Sequence, residues 1–195
     1  MVSWLRFQQK AGREIPPALQ LDLRIHVREA GGMQLPSEIF TSETLEVLKL
    51  DVNLGLDQLS TIPSFCLPNL KLLVILATVI PDDVVVTRLV SSCPLLEDLT
   101  VEFRWNCANS VSISSPSLWR LHLSVFNEID ESHSNDFVLI HTSNLEYLEY
   151  YDDLTQNYSI TNMDCLVKDI RIENTLMEKV FEAFDHIMLT SLVLQ

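Results

Sequence analysis

The stretch Leu89-Val90-Ser91-Ser92-Cys93-Pro94-Leu95-Leu96-Glu97-Asp98-Leu99-Thr100-Val101 decides the fold, because its second half has the form Leu-x-x-Leu-x-aliphatic. In an extended chain successive side chains alternate between faces, so Leu99 and Val101 point one way while Asp98, Thr100 and Glu102 point the other. The same frame recurs as Leu45-x-x-Leu48-x-Leu50, Leu70-x-x-Leu73-x-Ile75, Leu118-x-x-Leu121-x-Leu123, Leu145-x-x-Leu148-x-Tyr150 and Leu189-x-x-Leu192-x-Leu194. Two weaker copies, Ala18-x-x-Leu21-x-Leu23 and Val167-x-x-Ile170-x-Ile172, complete the series. Starting at 18, 45, 70, 96, 118, 145, 167 and 189, the units are 22 to 27 residues apart. That spacing is the mark of leucine-rich repeats.

One such strand cannot bury its apolar side alone. Stacking Leu48/Leu50 on Leu73/Ile75, Leu99/Val101 and Leu121/Leu123 in parallel makes a continuous core in which each unit depends on its neighbours. The expected architecture is an α/β leucine-rich-repeat solenoid, with a curved parallel sheet on the concave side and irregular helices and loops on the convex side. Residues 1–195 are read as a single array of about eight irregular repeats. The clearest return is Pro81 to Cys93, where an Asp can cap a helix with Val85, Leu89 and Val90 on one face and Pro94 stops it. A second return helix is expected from Thr175 to His186, with Leu176, Val180, Phe181 and Phe184 facing the core. Before the strands, Leu67-Pro68-Asn69-Leu70, Cys93-Pro94-Leu95-Leu96 and Ser115-Pro116-Ser117-Leu118 use Pro to extend the residue ahead of it. Asn53 occupies a place where a repeat asparagine is expected, and most other units lack one.

Composition narrows the function. At 47% hydrophobic, the 195-residue chain can bury a sizeable core, and it has no apolar run long enough for a transmembrane helix. The start, MVSWLRFQQKAGREIPP, lacks the apolar stretch of a secretory signal, which implies an intracellular protein of the cytoplasm or nucleus. Cys66, Cys93, Cys107 and Cys165 form no C-x-x-C pair and read as reduced thiols. In that compartment the glycosylation sequon at Asn157 carries no meaning. A net charge of −14 repels a phosphate backbone and argues against nucleic acid as partner.

No cofactor, metal or reaction is read from the residues. His26, His122, His133, His141 and His186 show no metal-ligand spacing, and no G-x-S-x-G elbow is present. Glu131 to Asp136 holds Ser, His and Asp together in what reads as a polar loop, and Asp82-Asp83 and Asp152-Asp153 read as caps and turns. The protein is therefore expected not to be an enzyme. The candidate protein-binding surface is the outward row of each strand: Lys49, Asp51, Asp98, Glu102, Arg120, His122, Tyr147, Glu149, Tyr151 and Arg171, joined by Asp22, Arg24, Asp169 and Glu173. Acidic groups outnumber basic ones there, which suits a basic peptide or protein segment. Tyr147 and Tyr151 are either recognition anchors or packing groups against neighbouring strands. Leu72, Val74 and Leu76 also face outward, as a partner site or as a face covered by a return loop.

The segments LPSEIFTSETLEVLKLD (35–51), LPNLKLLVI (67–75), LVSSCPLLEDLTV (89–101), SPSLWRLHL (115–123) and SNLEYLEY (143–150) together resemble the plant F-box/leucine-rich-repeat family of the F-box/FBD type. VSWLRF and LQLDLRI resemble the linker and first strand that follow the F-box in that family. The resemblance implies the substrate-recognition arm of an SCF-type ubiquitin ligase, in which an F-box docks a Skp-type adaptor and the repeats hold the target. No F-box is read ahead of the array and no complete FBD segment after it. A Skp-type adaptor is thus expected as partner only if an F-box is supplied elsewhere. The alternatives are an F-box-less repeat protein that binds or shields targets, and a small-molecule or peptide receptor.

Overall fold

The computed structural model describes the backbone over residues 19–25, 35–52, 58–79, 83–105, 110–127, 137–152, 157–161, 169–174 and 192–194, and side chains over 19–22, 35–51, 59–76, 84–103, 111–126 and 138–151. Strands β1 (Leu19–Ile25), β2 (Leu45–Val52), β3 (Leu72–Val79), β4 (Asp98–Trp105), β6 (Arg120–Asn127), β8 (Tyr147–Asp152), β10 (Asp169–Asn174) and β11 (Leu192–Leu194) form one eight-stranded sheet in that order. Every pairing is parallel. The repeat frame becomes the register: Leu21, Leu48, Leu73, Leu99, Leu121, Leu148, Ile170 and Leu192 are Cα partners across the whole sheet. A second register row runs Leu23, Leu50, Ile75, Val101, Leu123, Tyr150, Ile172 and Leu194.

The packing follows from those rows. Leu48, Leu50, Leu73, Leu99, Val101 and Leu123 are wholly buried, and so are Leu45, Leu70, Leu96, Leu118 and Leu145, which open their units. Each contributes about 1.5–3 kcal/mol of hydrophobic burial. The backbone knits the units together just ahead of the strands. The carbonyl of Lys71 accepts the N–H groups of Glu97 and Asp98, that of Glu97 those of Trp119 and Arg120, and that of Trp119 those of Glu146 and Tyr147. Side chains add a parallel ladder, in which Asn69 donates to the carbonyl of Glu43, Ser117 to Leu96 and Asn144 to Pro116. Asn69 and Ser117, each directly after the punctuating Pro, and Asn144, in a unit without one, thus tie their units to the ones before.

The returns change form along the chain. Between β1 and β3 they are short: a 3-10 helix over Ser37–Thr41 that buries Phe40, and α1 (Gln58–Thr61), which buries Leu59. The expected helix appears as α2 (Asp83–Ser91), burying Val85, Val86, Leu89 and Val90. Beyond it, among the described residues, the returns that can be seen are strands. β5 (Ser110–Ser114), β7 (Phe137–His141) and β9 (Asn157–Thr161) form a second, three-stranded parallel sheet. Ser-Val-Ser-Ile-Ser alternates with period two and Phe-Val-Leu-Ile is an apolar run rich in β-branched residues, and Val111, Ile113, Val138 and Ile140 are buried in the same core. The parallel α/β architecture stands as expected, and a second sheet supplies returns that the sequence reading assigned to helices and loops. The Thr87 hydroxyl of α2 donates to the Ser112 carbonyl at 2.9 Å, joining the helix to the edge of that sheet. Ala18, Asn53, Cys107, Cys165, the 131–136 loop and the 175–186 helix lie outside the described residues.

Candidate functional site

The outward side of the eight-stranded sheet is built from three rows set by the same register. One row is Gln20, Val47, Leu72, Asp98, Arg120, Tyr147 and Asp169; the next is Asp22, Lys49, Val74, Thr100, His122, Glu149 and Arg171; the third is Arg24, Asp51, Leu76, Glu102, Ser124, Tyr151 and Glu173. Nine of the ten candidate residues therefore occupy this side, and Arg171 is in register with Glu149 by its backbone. For Arg171, as for Arg24, Asp169 and Glu173, only the backbone position is described.

The structure brings two groups of candidates together around β6. Arg120 lies 3.6 Å from the carboxylate of Asp98 and stacks over the rings of Trp119, at 4.7 Å, and Tyr147, at 5.3 Å. Trp119 and Tyr147 themselves meet edge to face, with centroids 5.7 Å apart. A surface ion pair of this kind contributes about 0–1 kcal/mol and each cation–π contact about 0.5–1 kcal/mol, so the cluster orders the side chains more than it stabilises the fold. Burial holds the Asp98 carboxyl above its ordinary value, against the opposing pull of Arg120, Lys49 and His122. Tyr151 packs on Phe126, ring centroids 5.1 Å apart. Both tyrosines thus rest on aromatic groups of the neighbouring unit while remaining half-buried on the outward side.

The second group is a chain of hydrogen bonds. His122 Nδ1 lies 3.1 Å from Glu149 Oε2, and His122 Nε2 lies 3.0 Å from Ser124 Oγ. With Nδ1 carrying the proton toward Glu149, neutral Nε2 accepts from the serine hydroxyl. The order Ser, His, Glu matches an acyl-transfer triad, but a triad also needs backbone N–H groups aimed at a developing oxyanion. β6 is paired on both sides, to β4 and β8, so its N–H groups are committed to the sheet. The row accordingly reads as a preorganised polar surface. Among the described residues no cluster of His, Cys, Asp or Glu could hold a metal ion, and no helix is long and apolar enough to cross a membrane.

Lys49, Asp51 and Glu102 flank the apolar strand β3, with Lys49 near enough to pull on Asp98 and Glu102 in register with Ser124. Sequence reasoning missed Trp119, Phe126 and Ser124. Trp119 precedes its strand and lies outside the alternating frame; Ser124 and Phe126 could have been found by carrying the alternation of Arg120 and His122 two steps further.

A family model described as the FBD-associated F-box protein At5g56370, LRR repeats, matches residues 3–175. The chain is similar to the F-box/LRR-repeat protein At4g14103 of Arabidopsis thaliana, 36% identical over 161 residues that make up 80% of this chain and 41% of that protein. It is also similar to the F-box/LRR-repeat protein At3g59210, at 34% identity over 81% of this chain and 32% of the relative, and to the F-box protein At1g56610, at 33% over 73% and 28%, both from the same plant. The chain thus spans well under half the length of these curated relatives. No solved structure gives a significant match.

Proposed function

The chain belongs to the plant F-box/leucine-rich-repeat family, as the repeat region of its FBD-associated branch, and on that premise we propose that it is a protein-binding module that holds the target of an SCF-type ubiquitin ligase on the outward side of its eight-stranded sheet. The observation that carries this reading is the preorganisation around β6. Arg120 stacked on Trp119 and Tyr147 offers a rigid aromatic and cationic group of the kind that dominates binding energy at protein interfaces. Around it lie carboxylates, which favour a basic partner and disfavour a phosphate backbone. Adaptor binding is a separate matter: a Skp-type adaptor joins only where an F-box is present in the same protein or assembly. Without one, the repeats occupy their target and shield it.

Photo-crosslinking tests the reading. A benzophenone side chain placed at Glu149 is expected to trap a defined protein from plant extract, and the same group at Leu95, on the exposed turn ahead of β4, is not. Equal capture from both positions, or capture of chaperones alone, removes the support. Fusing the chain behind an F-box separates the two roles: the trapped protein is ubiquitinated and lost if the repeats serve a ligase, and persists if they only shield it.

A further inference from the structure

Among the described side chains, strand β3 differs from its neighbours in presenting only aliphatic groups outward. Leu72, Val74 and Leu76 are half-buried there, and Val47 extends the strip onto β2. On the other flank, the partners of Leu72, Val74 and Leu76 on β4 are Asp98, Thr100 and Glu102. Asp51 sits opposite Leu76 on β2, Lys49 sits opposite Val74, and Lys71, just ahead of the strip, is already paired with Glu46 at 3.4 Å. An apolar ridge edged by three carboxylates and one cation, on a chain of net charge −14, calls for an occupant that is both aliphatic and basic.

Resting on the binding reading above, we propose that β3 and β4 form a subsite for an extended, basic segment of the bound protein, with an aliphatic side chain seated on Leu72, Val74 and Leu76 and flanking Lys or Arg side chains paired with Asp98 and Glu102. The spacing selects the extended form. Asp98 and Glu102 are four residues apart on one strand, about 13 Å at the usual rise. An extended segment repeats the same rise and puts residues i, i+2 and i+4 on one face, so the pattern is basic-x-aliphatic-x-basic. Helical residues i and i+4 are only about 6 Å apart and would reach one carboxylate but not both. Asp98, already short of solvation and held by Arg120 at 3.6 Å, gains from a second cation. A second copy of this chain brings carboxylates to carboxylates and is disfavoured on the same ground.

The test is a selection of displayed random 12-residue peptides on the full chain, followed by measured binding of the enriched sequences as synthetic peptides. Enrichment of basic-x-aliphatic-x-basic sequences is expected. Their affinity should fall about tenfold on Val74→Asp and about tenfold on the isosteric pair D98N/E102Q, the latter loss shrinking as salt rises, while Glu38→Gln, on the 3-10 return outside the sheet rows, leaves it unchanged. The isosteric pair keeps the test open should Val74→Asp disturb folding, which circular dichroism reports. Enriched peptides that lack basic residues, or that ignore both variants, overturn the subsite but leave the wider binding surface standing. No enrichment, or self-association that Val74→Asp abolishes, also overturns it, and the crosslink from Glu149 then judges the surface independently.

Discussion

The Arg88 guanidinium donates to the carbonyl of Ile62 at 2.6 Å, reaching from helix α2 into the unit before it. The same Nη2 lies 3.2 Å from the Pro63 carbonyl, and the group sits 5.1 Å over the Phe65 ring. Phe65 in turn meets the buried Phe40 edge to face, so one long side chain clamps the only extended return helix among the described residues to the units before it. Arg88→Ala is expected to lower stability by about 1–3 kcal/mol, because it leaves two carbonyls without a charged donor and removes a cation–π contact. Urea unfolding of the two proteins measures the difference, and a shift no larger than that of an ordinary surface substitution refutes the clamp.

Leu95 and Leu96 are adjacent and chemically identical, yet Leu95 is 48% exposed and Leu96 is 0% exposed. Leu96→Ala should cost about 2–5 kcal/mol through the cavity it opens in the shared core, and Leu95→Ala less than about 0.5 kcal/mol. Denaturant midpoints of the two variants check this directly. Similar costs at both positions contradict the assigned frame.

Asp98 provides a pH test with a definite sign. Its carboxyl is raised above the ordinary 3.8 chiefly by desolvation, so the folded state binds its proton more tightly than the unfolded state does. Stability from this group is therefore greatest below 3.8 and falls as pH rises through the raised value. Asp98→Asn should raise the melting temperature at pH 7 and give little or no gain near pH 3. A drop at pH 7 would mean that the Arg120 pairing outweighs burial.

Burial pushes the Cys93 thiol up to about 11, and its Sγ donates to the Leu89 carbonyl at 3.1 Å, whereas Cys66 is exposed. At pH 8 iodoacetamide should modify the Cys66 peptide and spare the Cys93 peptide in the native protein, with both modified once urea is added. Mass spectrometry of the digested chain reads both sites at once. Native labelling of Cys93 at the rate of Cys66 would contradict its burial.

Much of the fold was legible because it depends on local spacing. Leu48 and Leu50, or Leu121 and Leu123, identify their inward face from alternation alone, and the 22 to 27-residue step requires parallel stacking. The second sheet was harder to see. Val111 and Ile113 alternate with serines as a strand does, and Phe137 to Ile140 is a continuous apolar run, but over five residues each, too short a window to outweigh the expectation of a helical or irregular return. At the candidate site the outward rows were readable, while Trp119 and Phe126 fell outside the window considered.

The sequence by itself determined which residues turn inward and in what order the units follow, since both are properties of neighbours along the chain. Only the tertiary structure decided which outward groups meet: Asp98 with Arg120, His122 with Glu149, Phe126 with Tyr151, Arg88 with Ile62. Each of these pairs joins positions more than twenty residues apart. Their contact depends on the register in which whole units stack, and that register is set by filling one core, a condition that no single segment carries within itself.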